Sequence, residues 1–353
     1  MTNAYKIAVV PGDGIGREVI PEALRVLDAV AHRFDIKFSY DEKNWSCERF
    51  HKKGAMMPKD GLEQITNHDA ILLGAVGFPG VPDHVSLWGL LIPIRRAFRQ
   101  YVNLRPVRLF EGMPCPLAGR MPGDIDFIIV RENNEGEYSE IGGRLYEGTE
   151  EELSVQQAIF TRKGVDRIMR YAFDLAGKRD RKHVTSATKS NGIIHSMPYW
   201  DERFEIIASD YPDVSTDKFH IDILTAHFVR NPDWFDVVVG SNLFGDILSD
   251  LGPAVTGTIG IAPGGNINPT RDFPSMFEPV HGSAPDIAGR GICNPIGEIW
   301  SAAMMLDHLG QCKAAAAIIS AIEVVIRDSD IKTPDMGGKA TTSELGQAIV
   351  DAL

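Results

Sequence analysis

The sequence predicts an α/β protein built on a largely parallel sheet. Three observations carry that prediction. Short, almost continuously apolar runs end on glycine or a polar residue, as strands covered on both faces do. Longer stretches between them repeat apolar residues every three or four positions, the period of a helix with one buried face. The two kinds of segment alternate along nearly the whole chain, as parallel strands joined by crossover helices require.

In order, the first strand is Lys6 to Val10, running into Pro-Gly-Asp-Gly-Ile-Gly. Residues 17–34 form a helix, with Val19, Ile20, Ala23, Leu24, Leu27 and Val30 on one face. Asp69 to Val76 reads as a buried parallel strand, and Ile125–Val130, Val184–Ala187, His220–Leu224 and Phe235–Val239 look similar. The clearest helix covers 163–178, with Val165, Ile168, Met169, Ala172, Leu175 and Ala176 on one side. Residues 296–309 and 313–328 are apolar nearly all round and read as interior helices. The Gly/Pro-rich stretch 252–269 reads as a crossing between domains or a ligand-facing loop. Residues 132–153 are polar, glycine-rich and long for a simple connection.

The 353 residues suggest roughly two domains. Hydrophobic residues at 44% and charged residues at 24% exclude a disordered or fibrous chain. Lys+Arg number 36 and Asp+Glu 48, a net charge of −12, which argues against a general binder of nucleic acid or anionic membrane. A pocket sets its own local charge, so a small anionic substrate stays open. Cys47, Cys115, Cys293 and Cys312 form no C-x-x-C pair, so free thiols in a reducing compartment are expected. The N-terminus lacks the features of a signal peptide, and no apolar run approaches the ~20 residues of a membrane span. The expectation is a soluble cytoplasmic protein.

Five features could carry chemistry. Gly12-Asp13-Gly14-Ile15-Gly16 lies between a strand and a helix, but Arg17 breaks the dinucleotide spacing G-x-G-x-x-G, so by itself a tight strand-to-helix turn is the safer reading. Asp246 and Asp250 are four apart, one turn on a helix, with Asp246 near its start. Like charges so placed favour a hard cation between them, and Asp222, in an apolar strand, could complete an Mg²⁺ or Mn²⁺ site. The alternative is a solvated helix face. Arg95, Arg96 and Arg99 on a helix, Arg105 in Asn-Leu-Arg-Pro and Arg131 at a strand end sit in apolar surroundings. They ask for a carboxylate ligand, or for internal pairing with Glu132 or Glu135. Lys189, desolvated at a strand end, could act as a base, with an exposed loop lysine as the alternative; Tyr138 could be a proton donor, though by itself it is unremarkable. Finally, Phe277-Glu-Pro-Val-His-Gly-Ser-Ala-Pro-Asp-Ile-Ala-Gly289, followed by Asn294-Pro295, could cradle phosphate, with Asp286 accepting from ribose hydroxyls; a structured Pro-rich turn is the alternative.

Together these segments resemble the β-decarboxylating dehydrogenases of 2-hydroxy acids, the family of isocitrate, isopropylmalate, tartrate and D-malate dehydrogenases. Asn-Leu-Arg-Pro, Val-Arg-Glu-Asn, Thr-Lys-Ser-Asn, Gly-Asp-Ile-Leu-Ser-Asp and Glu-Pro-Val-His-Gly-Ser-Ala-Pro-Asp occur in the family's order, from Pro11 to Gly338.

The resemblance implies a three-layer α/β/α fold of isopropylmalate dehydrogenase type, not a Rossmann fold, with two domains sharing a twisted mixed sheet. Residues 1–98 and 255–353 would form a discontinuous NAD-binding domain. Residues 99–254 would form a small domain with substrate and metal residues and a dimer clasp. It further implies a homodimer with shared active sites, in which Lys189 and Asp222 reach the site from the partner. Arg95, Arg105 and Arg131 match the arginines for the substrate carboxylates, Asp222, Asp246 and Asp250 the metal ligands, Lys189 the base and Tyr138 the acid. His281, Gly282, Ser283, Ala284, Asp286 and Asn294 match the cofactor segment; a carboxylate at Asp286 repels a 2′-phosphate, so NAD is expected. Mg²⁺ or Mn²⁺ is the expected metal, and potassium is a further cation the resemblance admits.

Substrate choice rests on residues 82–91. Leu87 follows Ser86 where isocitrate enzymes carry Ser-Asn, and Trp88, with Leu91, would leave room at C3 only for hydrogen or hydroxyl. That favours D-malate or tartrate, with isopropylmalate as the alternative suggested by Gly89-Leu90-Leu91. A magnesium-dependent phosphate-ester binder or hydrolase is the reading from a different class.

Overall fold

The computed structural model describes residues 3–353. Strand β1 (Asn3–Gly12) sends Ile7 and Val9 into one core and Ala8 and Val10 into another, all fully buried. Strand side chains alternate between faces, so such a strand is covered on both sides. Helix α1 (Gly16–Phe34) lays Ile20, Ala23, Leu27 and Val30 on the first core and ends at Asp35, whose backbone turns left-handed at φ 52°.

Strand β2 (Ile36–Glu42), helices α2 (Cys47–Lys53) and α3 (Gly61–Ile65) and strand β3 (Ala70–Ala75) follow. Helix α4 (Asp83–Ser86) runs through a π-turn, Leu87–Leu91, into α5 (Ile92–Ala97). The chain continues with β4 (Val102–Arg108), β5 (Asp126–Glu132), β6 (Gly142–Leu145), β7 (Leu153–Gln156), α6 (Arg162–Ala176), β8 (His183–Thr188), α7 (Ser196–Ala208), β9 (Ser215–His220), α8 (Ile221–Arg230), β10 (Val237–Gly240) and α9 (Asn242–Thr256). It closes with β11 (Pro263–Ile267), β12 (Ser275–Pro279), α10 (Ile296–His308), α11 (Cys312–Asp328) and α12 (Thr342–Asp351). A capping box between Thr341 and Glu344 starts α12.

One sheet runs β2-β1-β3-β12-β11-β4-β5-β10-β8-β9. It is parallel except where β11 pairs with β12 and β4, and β4 with β5. Those reversals make it mixed and set it apart from a doubly wound parallel sheet. Strands β2, β1, β3, β12 and β11 come from the two chain ends, and β4, β5, β10, β8 and β9 from the middle. They meet at the antiparallel seam β11–β4, where Asn266 lies opposite Asn103. Strands β6 and β7 form a separate hairpin with every residue exposed, including Leu145, Leu153 and Val155.

Three expectations need correction. His220–Leu224 is not a strand: the strand is β9, and His220 caps α8, whose Leu224 and Phe228 bury four residues apart. Asp222 is therefore in a helical first turn. An apolar run this short fits either period, and burial on one side only decides for the helix. Helix α10 is interior as expected, but α11 buries one face (Ala314, Ile318, Ala321, Ile322, Val325) and exposes Val324. Arg99 lies beyond α5 in a left-handed turn at φ 50°.

Candidate active site

Arg95 (α5), Arg105 (β4) and Arg131 (β5) are 8%, 8% and 3% exposed. Arg95 pairs with Glu278 of β12 at 2.8 Å, and Arg105 Nε donates to Asn103 Oδ1 at 2.8 Å. Arg131 donates to Asn242 Oδ1 from Nε (3.1 Å) and Nη2 (2.6 Å) and pairs with Asp246 through Nη1. Two glycines make this space: a Cβ on Gly245 would lie 2.5 Å from the Arg131 side chain, and one on Gly264 3.1 Å from the Arg105 guanidinium. Burial pushes Arg105 down to about 10, still cationic at neutral pH, and pushes Arg131 in the same direction against the pull of Asp246. Arg95 Nε and Arg105 Nη1 are buried without a partner. Each such donor costs about 1–3 kcal/mol, so the cluster is set for an incoming anion, and a guanidinium fork matches a carboxylate.

The other two arginines are spent elsewhere. Arg99 pairs with Asp272. Arg96 pairs with Glu140 (2.5 Å), donates to the Tyr138 carbonyl (3.1 Å) and stacks over Trp88, 4.9 Å from the ring centroid. Neither Glu132 nor Glu135 pairs with Arg131; Glu132 bonds Arg167 and the backbone of Asn134 and Glu135, and Glu135 caps the start of α6 through Thr161.

Helix α9 holds Asp246 and Asp250 one turn apart, with Asp246 in its second turn rather than its first. Its N-cap, Ser241, donates to Glu137 Oε1 at 2.8 Å, and Leu243 N donates to Glu137 Oε2 at 3.0 Å. That ties the helix start to the loop carrying Tyr138, whose hydroxyl donates to Asp246 Oδ2 at 2.6 Å. Burial, then the Asp246 carboxylate, push the Tyr138 phenol up to about 12. Burial and the neighbouring Asp246 charge also push Asp250 up. Two hard carboxylates one helical turn apart, one of them destabilised in its charged form, fit a divalent cation.

Lys189 and Asp222 are an ion pair at 2.7 Å, and the lysine holds the Asp222 carboxyl below its usual range. Among the described residues no three acidic, His or Cys side chains gather to hold a metal. The structure thus brings Asp246 and Asp250 together and leaves Asp222, 68% exposed at its side chain, apart from them. Lys189 itself is half-buried, its side chain 28% exposed beside the Asp222 carboxylate.

The segment from Phe277 to Asp286 folds onto the glycine turn. Ile15 N donates to Ser283 O at 2.9 Å, and a Cβ on Gly14 (φ 52°) would lie 2.1 Å from that oxygen. Asp13 is a structural knot: its carboxylate accepts from Cys47 N (2.9 Å), Glu48 N (3.3 Å) and Gly77 N (3.3 Å). Glu18 accepts from Gly289 N and Gly291 N, both at 2.7 Å. Burial pushes the His281 imidazole down, and its Nε2 is buried without a partner. Gly282 and Asp286 are exposed beside buried Ser283, and Ala284 takes a left-handed φ of 41°. Buried Asn294 donates to Asp335 at 2.9 Å. A loop with close backbone approach, an orphaned ring nitrogen and an exposed acid fits a nucleotide.

Trp88 and Leu91, both half-buried, lie in the π-turn, a device frequent at functional sites that periodicity alone does not announce. Sequence reasoning also passed over Glu278, Asn103 and Asn242, the partners of the arginines, and Asn266, which bonds Asn103 and Glu278. Glu278 and Asn103 do stand inside the motifs Phe-Glu-Pro-Val and Asn-Leu-Arg-Pro.

Comparison with known proteins bears on the whole chain. It is 61% identical to D-malate dehydrogenase [decarboxylating] of Escherichia coli (strain K12), over 99% of this chain and 98% of that one. It is 60% identical to the tartrate dehydrogenase/decarboxylase of Pseudomonas putida, with the same coverage. The crystal structure of isocitrate dehydrogenase from Methylococcus capsulatus superposes with a TM-score of 0.88 at 35% identity, over 99% of both chains. Matched from residue 6 to residue 349 by the model described as isocitrate/isopropylmalate dehydrogenase, and carrying that fold, the chain belongs to the isocitrate/isopropylmalate dehydrogenase family.

Proposed function

We propose that this decarboxylating dehydrogenase oxidises D-malate to pyruvate and CO₂ with NAD⁺, and acts on tartrate as a second substrate. The observation that carries the reading is the buried arginine cluster with two unpartnered donors, set beside Tyr138, whose hydroxyl donates to Asp246 and whose ring lies under Arg131. The names of its close relatives point to the same substrates.

Arg95, Arg105 and Arg131 hold the two carboxylates. His281, Gly282, Ser283, Ala284 and Asn294 hold the dinucleotide, with Asp286 on the ribose. Asp246 and Asp250, with Asp222 of a second copy, hold Mg²⁺ or Mn²⁺. When bound, the dinucleotide accepts the hydride and the cation supplies Lewis-acid stabilisation of charge on oxygen. Lys189 takes the proton from the C2 hydroxyl. Tyr138 delivers a proton to carbon after CO₂ leaves. The count closes: one proton leaves oxygen and one arrives at carbon. Trp88 and Leu91 restrict the group at C3.

A homodimer follows from the same division of labour, because Lys189 and Asp222 stand apart from Asp246 in a single chain. Exposed apolar side chains on the β6–β7 hairpin and on α8 and α9 (Ile223, Val229, Leu243, Ile247) suit a self-complementary contact. Residues 1–98 with 255–353 form the nucleotide-binding domain and 99–254 the smaller one, hinged at the β11–β4 seam. No helix among the described residues is long and apolar enough to cross a membrane. A cytoplasmic setting suits four unpaired thiols.

NADH absorbance with Mn²⁺ tests the reading. D-malate should give the fastest rise, with tartrate slower. A faster rise with isopropylmalate overturns the substrate assignment, and no rise with any hydroxy acid overturns the reaction.

A further inference from the structure

A line of buried hydrogen bonds crosses the β11–β4 seam. Arg105 Nε donates to Asn103 Oδ1 (2.8 Å), Asn103 Nδ2 to Asn266 Oδ1 (2.9 Å), and Asn266 Nδ2 to Glu278 Oε1 (2.8 Å). Arg95 Nη2 donates to that same Glu278 oxygen at 2.8 Å. Asn133, just past β5, adds a second donor to Asn266 Oδ1 at 2.9 Å. Asn103 and Asn266 have no exposed surface, and Asn133 and Glu278 are 7% and 6% exposed.

The direction of every bond is forced. Turning the Asn266 amide over would set its NH₂ against two other amide NH₂ groups and its oxygen against a carboxylate. Turning Asn103 over would set its NH₂ against the Arg105 guanidinium. Aligned donors and acceptors polarise one another, so the line runs one way, from the Arg105 cation to the Glu278 anion.

Core packing alone does not call for this arrangement. Burying amides and a carboxylate costs free energy that apolar side chains of similar volume would not. The line also ends in a specific way: with its bonds made, Arg95 Nε and Arg105 Nη1 are left as buried donors without a partner.

We propose that Asn266 and Asn103 are positioning residues that fix the spacing and orientation of Arg95 and Arg105 for a dicarboxylate. The inference rests on the assignment of these arginines to the substrate. Asn266 is the junction, since it accepts from both Asn103 and Asn133 and donates to the acid that holds Arg95. Neither asparagine touches substrate; each acts through an arginine.

The test uses Asn266→Ala, Asn103→Ala and the double variant, with Asn266→Asp as a variant that keeps the shape should alanine fail to fold. Each single change is expected to raise KM for D-malate about tenfold or more, from the cost of stranding buried partners. KM for NAD⁺ should stay unchanged and kcat should fall less than KM rises. The double variant should cost little more than either single one, because both interrupt one line. Additive losses, or a lower melting temperature with KM for D-malate unchanged, overturn the proposal. Calorimetry of D-malate with Mn²⁺ and no NAD⁺ separates this inference from the reaction. If the native protein binds D-malate without oxidising it and the variants bind more weakly, the relay stands and the dehydrogenation reading falls. Equal binding by native and variant proteins overturns the relay.

Discussion

Tyr138 donates its phenolic hydrogen bond to Asp246 at 2.6 Å, while the other Asp246 oxygen takes a hydrogen bond from Arg131. One carboxylate thus orients a phenol and a buried guanidinium together. It also lies on the same helix face as Asp250.

Tyr138→Phe removes the donor and leaves the ring. The expected result is a loss of roughly 10²–10⁴ in kcat, the usual worth of a positioned acid, with a smaller change in KM. Steady-state rates with D-malate check it. A variant within about threefold of native kcat removes Tyr138 from the proton step, since that is below any ordinary acid–base contribution.

Shared sites predict complementation. Lys189→Met and Asp246→Asn should each be inactive as homodimers. After mixing and subunit exchange, half the dimers are hybrids in which one of two sites has native Asp246 from one chain and native Lys189 from the other. Recovered activity should approach about a quarter of the native level. If both residues serve within their own chain, mixing restores nothing.

Asp250→Asn should act with opposite signs in the absence and presence of metal. A carboxyl pushed above its unfolded value contributes stability that is lost as pH rises, so at neutral pH the metal-free charge is a burden. Removing it should leave the melting temperature unchanged or higher without metal. With Mn²⁺ at a hundredfold over its Kd the native protein gains about 2.7 kcal/mol. The variant should lose most of that gain. Scanning calorimetry with and without Mn²⁺ reads both signs.

The sequence made the site legible where chemistry demands odd residues in odd places: Arg131 at the end of an apolar strand, or paired aspartates one helical turn apart. It was less telling where one local pattern serves two structures. His220–Leu224 reads as a strand, and only the single buried face of α8 makes it a helix. The α4–α5 π-turn leaves no periodic mark. The asparagines at the seam stayed hidden because their role comes from long-range pairing, Asn103 with Asn266 across 163 residues. The separation of Asp222 from Asp246 belongs to the chain's tertiary path, which no local spacing records.

His308, at the end of α10, supplies a pH-dependence of stability away from the site. Burial, reinforced by the Arg271 charge and opposed by Asp307, pushes its imidazole down to about 4. Its Nε2 lies 3.0 Å from Ser275 Oγ, which already accepts from Asn268 N at 2.9 Å. A neutral ring can accept a hydrogen bond from the hydroxyl; a protonated ring can only donate, which turns the hydroxyl hydrogen away into buried surroundings. The folded value lies below the unfolded ~6.5, so the unfolded chain binds more protons between the two, and folding stability falls as pH drops from about 6.5 to about 4. Below that window both states carry the proton and the loss is complete. His308→Gln keeps an acceptor for Ser275 and removes the titration. The variant should show a flatter melting temperature across this range than the native protein, and equal slopes would show that His308 charges in the fold as readily as in the unfolded chain.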